Sequence, residues 1–239
     1  MQRLARQLSM AAAALAACVA ASTASAQVTY ATVDAPLTQA PGLTGFQTTG
    51  ADMSGLSVTA TFSDGLSQTL AWATTGASAG GVSGTGWSLS LSGDSFTAPW
   101  NFTFMDQGIR GPLTRLVLDG ASGLTIFDRT FSGLDGTPGS AQGRDFSFAS
   151  STCGRCGATA TYSGLTRIGG AAAVGDLWQT LTVDFTGGTG PGTNWAFLQD
   201  TDNDSRFVPG IPEPETYALM LAGLAALGAV ARRKGKKQA

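Results

Sequence analysis

Three groups of residues have the types and spacing to do chemistry. Cys153 and Cys156 are spaced C-x-x-C inside Ser-Ser-Thr-Cys-Gly-Arg-Cys-Gly. Asp200, Asp202 and Asp204 alternate in Asp-Thr-Asp-Asn-Asp, and Pro212, Glu213 and Pro214 stand together before an apolar run. The 239 residues include no histidine. That excludes a Ser-His-Asp triad, a Cys-His dyad, an HExxH zinc helix and any imidazole base or pH switch.

Each group admits limited chemistry. In a thioredoxin-like enzyme the C-x-x-C motif opens a helix after a strand. Here its surroundings are turn-like, so a small disulfide between Cys153 and Cys156, bracing a loop, is the first reading, and export favours oxidation. Zinc lacks the further Cys or His needed for four ligands. The alternating aspartates offer hard oxygen ligands suited to Ca2+. Their spacing is incomplete for an EF-hand, with no following Gly and no Glu at the twelfth position, and a solvated turn is the competing reading. Glycoside hydrolysis needs two carboxylates across a cleft. Nothing in the sequence marks two of the fourteen aspartates as such a pair. The expectation is therefore no catalytic residues, no enzyme and no cofactor, with Ca2+ at Asp200, Asp202 and Asp204 as the one candidate metal.

Charge divides the chain. From Gln27 to Ile211 there are seven arginines and fourteen aspartates, net −7, and neither Lys nor Glu. All three lysines lie at Lys234, Lys236 and Lys237. An acidic middle argues against nucleic acid, whose binding needs Lys and Arg to displace counterions. Basic residues beside apolar runs point to membrane targeting. Arg3 and Arg6 precede an Ala-rich run, Leu8 to Ala21, that closes in Ala24-Ser25-Ala26. This is a signal peptide, residues 1–26, for signal peptidase, leaving Gln27 as the mature N-terminus. Leu15-Ala16-Ala17-Cys18 also fits a lipobox, but the run continues past Cys18 to the better site.

At the other end, Tyr217 to Ala231 carries no charge, and Arg232-Arg233-Lys234-Gly235-Lys236-Lys237 follows at once. Fifteen helical residues reach about 22 Å, enough for a locally thinned bilayer. The basic cluster stays cytoplasmic, so the body lies on the far side. Pro212 and Pro214 hold an extended, accessible segment just above the membrane. In this order of features Ile211 to Lys237 resembles the PEP-CTERM sorting signal of Gram-negative bacteria. Pro212, Glu213 and Pro214 match its three-residue motif, and Ile211 stands where Val is more usual. The resemblance implies that a membrane-embedded exosortase recognises and cleaves the tail. It also implies a link to exopolysaccharide, biofilm or floc formation.

These positions need a scaffold. Apolar residues alternate at Leu56, Val58, Ala60 and Phe62, resume at Leu66, Leu70 and Trp72, and recur at Trp87, Leu89 and Leu91. Trp100, Phe102 and Phe104 follow, then Leu116 with Leu118, Leu124 with Ile126, and Phe146 with Phe148. Leu181, Val183 and Phe185 precede Trp195 and Phe197. Period two broken by turn signals predicts about nine or ten strands in an all-β, jelly-roll-like β-sandwich. Its five tryptophans are expected mainly in the core. Gly76 to Gly86 and Thr186 to Gly192 read as flexible connections. The expected organisation is signal peptide 1–26, all-β passenger 27–206, and sorting signal 207–239 with a single transmembrane helix. The expected life history is export across the inner membrane, transient anchoring, then the cell surface or medium. The expected role is non-catalytic, structural or adhesive in the polysaccharide matrix. A Ca2+-dependent carbohydrate-binding module and an Asp-based glycan-active enzyme are its rivals.

Overall fold

The computed structural model describes residues 27–32, 47–105, 111–130, 143–149, 156–168, 177–187, 189–203 and 207–208. The signal peptide, Cys18, Cys153, Asp204, the Pro212-Glu213-Pro214 motif and the Tyr217–Ala231 run lie outside them. The described part is all-β. In chain order its strands are β1 (Gln27–Thr32), β2 (Ser57–Phe62), β3 (Ser67–Ala71), β4 (Ala73–Thr74), β5 (Ala79–Gly84), β6 (Trp87–Ser92), β7 (Trp100–Phe104) and β8 (Leu113–Asp119). They continue as β9 (Thr125–Asp128), β10 (Ser147–Phe148), β11 (Gly157–Leu165), β12 (Arg167–Ile168), β13 (Leu177–Phe185), β14 (Trp195–Leu198), β15 (Asp200–Asn203) and β16 (Phe207–Val208). Among the described residues no helix is long and apolar enough to cross a membrane.

Two sheets form a β-sandwich. The first runs β1-β11-β13-β8-β2-β3, and β9 branches from β13 to carry β15. Its pairings are antiparallel except at the edge, where β1 lies parallel to β11. The second sheet runs β10-β14-β7-β6-β5-β4. A separate two-stranded ribbon joins β12 to β16.

The alternation read from sequence becomes alternation in burial, since successive strand residues face opposite sides. In β2, Val58, Ala60 and Phe62 are buried and their neighbours half-exposed. In the second sheet the inward residues are largely aromatic. Register places Trp195 opposite Phe102 and Phe197 opposite Trp100, and the rings of each pair stack at 5.2 and 5.5 Å. Trp87 stacks on Phe102 at 5.6 Å. The first sheet closes over this layer through Phe62 against Trp87 and Phe185 against Trp195. All five tryptophans are buried, none more than 3 % exposed. Each ring hides some 150–250 Å² and adds about 0.5–1.5 kcal/mol per well-placed aromatic pair.

Two expectations are corrected. The span Gly76–Gly86 is not simply a flexible connection, because β5 lies within it and pairs with β6 along its length. Its glycines answer to packing. A Cβ on Gly80 would collide with the Trp72 indole and the Gly50 carbonyl, and one on Gly84 with Trp87 and Gln68. Leu124 does not share a face with Ile126. It takes φ 51° at the end of a 3-10 turn, Ala121–Gly123, and is 37 % exposed, while Ile126 is fully buried.

Candidate functional site

The densest chemistry lies on the β9–β15 ladder. Antiparallel register sets Asp200 opposite Asp128, and Asp202 follows two residues on, so all three share one face. Asp128, Asp200 and Asp202 are 0, 3 and 2 % exposed. Each contributes a carboxylate oxygen to a group whose members all lie within 4.8 Å of one another. Two oxygens on opposite sides of a Ca2+, each bound at about 2.4 Å, are separated by about that distance.

The surroundings hold this geometry. Ser95 Oγ lies 3.0 Å from Asp200 Oδ1 and accepts a hydrogen bond from the Thr201 amide at 3.0 Å. Gln199 Nε2 donates to the Asp200 and Arg144 carbonyls at 2.8 and 3.0 Å. Its own carbonyl accepts from the Trp100 indole at 3.0 Å. The Tyr162 hydroxyl donates to Gln199 Oε1. Gly143 packs against the cluster so closely that a Cβ there would come within 2.6 Å of Asp128 Oδ1. Burial, reinforced by the charge of Asp202, pushes the Asp200 carboxyl up to about 8, against the pull of the Ser95 and Thr201 hydrogen bonds. Like charges in a dry site favour a proton or a cation.

Of the expected calcium trio, the structure brings Asp200 and Asp202 together, and Asp204 is outside the described residues. The solvated turn is replaced by a buried strand. Asp128 had no sequence signal: it stands 72 residues before Asp200, and only the β9–β15 register joins them. Burial also separates this group from a glycan cleft, where both carboxylates must meet substrate. Cys156 is 2 % exposed and disulfide-bonded at the start of β11.

A second feature covers the outer face of the first sheet. One row crosses five strands as Thr69, Thr59, Val117, Thr182 and Thr161. The next holds Ser67, Thr61, Arg115, Asp184 and Thr159, and a third Ser57, Asp119, Thr180 and Ser163. These residues are half-exposed or exposed. Thr59 and Thr69 hydroxyls meet at 2.8 Å, and Thr61 and Ser67 at 3.1 Å. Arg115 and Asp184 neutralise one another at 2.6 Å. The face is thus rich in hydroxyls. Its signal was present in Val-Thr-Ala-Thr and Ala-Thr-Ala-Thr-Tyr, as the outward half of each alternation.

An all-β sandwich followed in sequence by a Pro-Glu-Pro motif, an apolar run and a basic end defines an exported passenger with a C-terminal sorting signal. A family model described as the PEP-CTERM protein-sorting motif matches residues 210–234. The chain thus carries a PEP-CTERM sorting motif over residues 210–234, and that motif implies export, transient membrane anchoring and processing by an exosortase. No curated protein and no solved structure matches it.

Proposed function

We propose that the mature protein is a non-catalytic, structural or adhesive component of the extracellular polysaccharide matrix, contacting polymer through the hydroxyl face of its first sheet. The single observation that carries this reading is the row Thr69-Thr59-Val117-Thr182-Thr161 and its neighbours. Adjacent strands put hydroxyls about 4.8 Å apart, and rows repeat about every 6.8 Å. Such a grid offers donors and acceptors together, as a neutral polysaccharide does. With all five tryptophans buried, recognition rests on hydrogen bonds rather than ring stacking. The test is cosedimentation with the isolated matrix polymer. The triple variant Thr59→Val, Thr161→Val and Thr182→Val keeps shape and strand propensity; it should lose binding without losing stability. Unchanged binding would remove this face from the account.

A second reading is favoured by the buried carboxylates: Asp128, Asp200 and Asp202 hold Ca2+ as a structural ion. Their mutual spacing and all-oxygen chemistry support it. Polymer binding lost on chelation would make the ion part of recognition, whereas a change in melting alone would make it structural. The Cys156 bridge is assigned to Cys153, closing the C-x-x-C loop beside β11; alkylation of two thiols in the exported protein would refute this.

A further inference from the structure

The last described strand ends very close to the sorting motif. β16 closes at Val208, and the matched sorting signal begins at residue 210. From Val208 to Pro212 is four residues, which span at most about 14 Å even when fully extended. Glu213 can stand no further than about 18 Å from Val208. The strand is placed to yield. It pairs with β12 over two residues only, Arg167 with Val208 and Ile168 with Phe207, in a ribbon outside both main sheets. Elements held by few contacts are the ones that open locally without global unfolding.

We propose that β16 belongs to the segment the processing enzyme takes, and that it leaves β12 before the tail is cut. This rests on the sorting reading and adds to it a specific stretch of the folded body as part of the substrate. The same tether keeps β16 within about 32 Å of Tyr217, which lies nine residues beyond Val208.

The test follows tail removal over time, by intact mass, from the full-length chain in cells with the processing enzyme. Antiparallel partners have Cα atoms about 4.5 or 5.5 Å apart. Both values suit a disulfide. The pair Ile168→Cys and Phe207→Cys therefore locks β16 in place, with each single substitution as control. The locked chain should be processed at least tenfold more slowly than either control. A ten-residue Gly/Ser insertion after Val208 should restore its rate. In the unlocked chain the same insertion should leave processing equal or faster. A locked chain processed at the control rate would overturn the proposal. So would a lock that the insertion fails to rescue, or an insertion that slows the unlocked chain. If the wild-type chain itself keeps its tail, the sorting reading fails first, and that result is distinguishable from all three.

Discussion

The inner face of the second sheet and the β9–β15 ladder are equally dry and energetically opposite. On the first, Trp87, Phe102, Trp195, Trp100 and Phe197 meet as cross-strand or stacked neighbours, so burial and ring geometry both stabilise the fold. On the second, three carboxylates are enclosed at the cost of desolvation and mutual repulsion. A fold that carries such a cost beside so apolar a layer gains specificity for whatever neutralises it. The contrast also separates the parts of the molecule that hold shape from the part that can respond to conditions.

The largest effect should come from breaking the aromatic side. Trp195→Ala removes a ring in contact with Phe102, Phe148, Phe185 and Phe197. Such a truncation costs about 3–5 kcal/mol. At about 2–4 °C per kcal/mol for a domain of this size, the melting temperature should fall by roughly 6–20 °C. A smaller fall would mean that the aromatic layer repacks.

The acidic side should respond to pH with a sign of its own. The Asp200 carboxyl titrates near 8 when folded, against an ordinary value of 3.8. Between these values the folded chain holds a proton that the unfolded chain has released. In EDTA, the contribution of Asp200 to stability should therefore be greatest below pH 4 and decline as pH rises towards 8. It should change little beyond, with a total loss of a few kcal/mol. Urea midpoints across that range measure it, and a flat profile would show that the site is ionised or ion-paired throughout.

Calcium should then offset a large part of that decline. At a hundred times its dissociation constant, a bound ion adds about 2.7 kcal/mol. Asp200→Asn sharpens the test by inverting sign. In EDTA at pH 8 it should raise the melting temperature by relieving repulsion, and it should abolish the stabilisation by Ca2+. A wild-type melt indifferent to both EDTA and Ca2+ would leave a proton as the neutralising partner.

The smallest effect belongs to the surface. Arg115→Ala breaks an ion pair whose side chains are 55 and 41 % exposed. It should cost under about 1 kcal/mol, less at high salt.

Legibility in the sequence follows the same division. Where a strand alternates large apolar residues with Ser or Thr, as in β2, β6, β7 and β13, the pattern alone places it and its inward face. β5 was illegible because its inward residues are mainly glycines whose smallness is dictated by Trp72, Trp87 and Gln68 from other segments. β11 hid behind small residues, with Ala158 and Ala160 doing the work that Leu or Phe does elsewhere. The calcium candidates were half legible. Asp200 and Asp202 carry local spacing, whereas Asp128 joins them only through long-range register, which no local period encodes. The sorting motif is the reverse case: three residues and an ordered set of flanks suffice without any tertiary context.

One measurement bears most directly on the central claim of an exported, tail-sorted passenger. It is the intact mass of the mature extracellular protein, which reads both ends at once. The mature chain should begin at Gln27 and lack Tyr217 to Ala239. A mature extracellular form that retains the intact basic tail would contradict that claim.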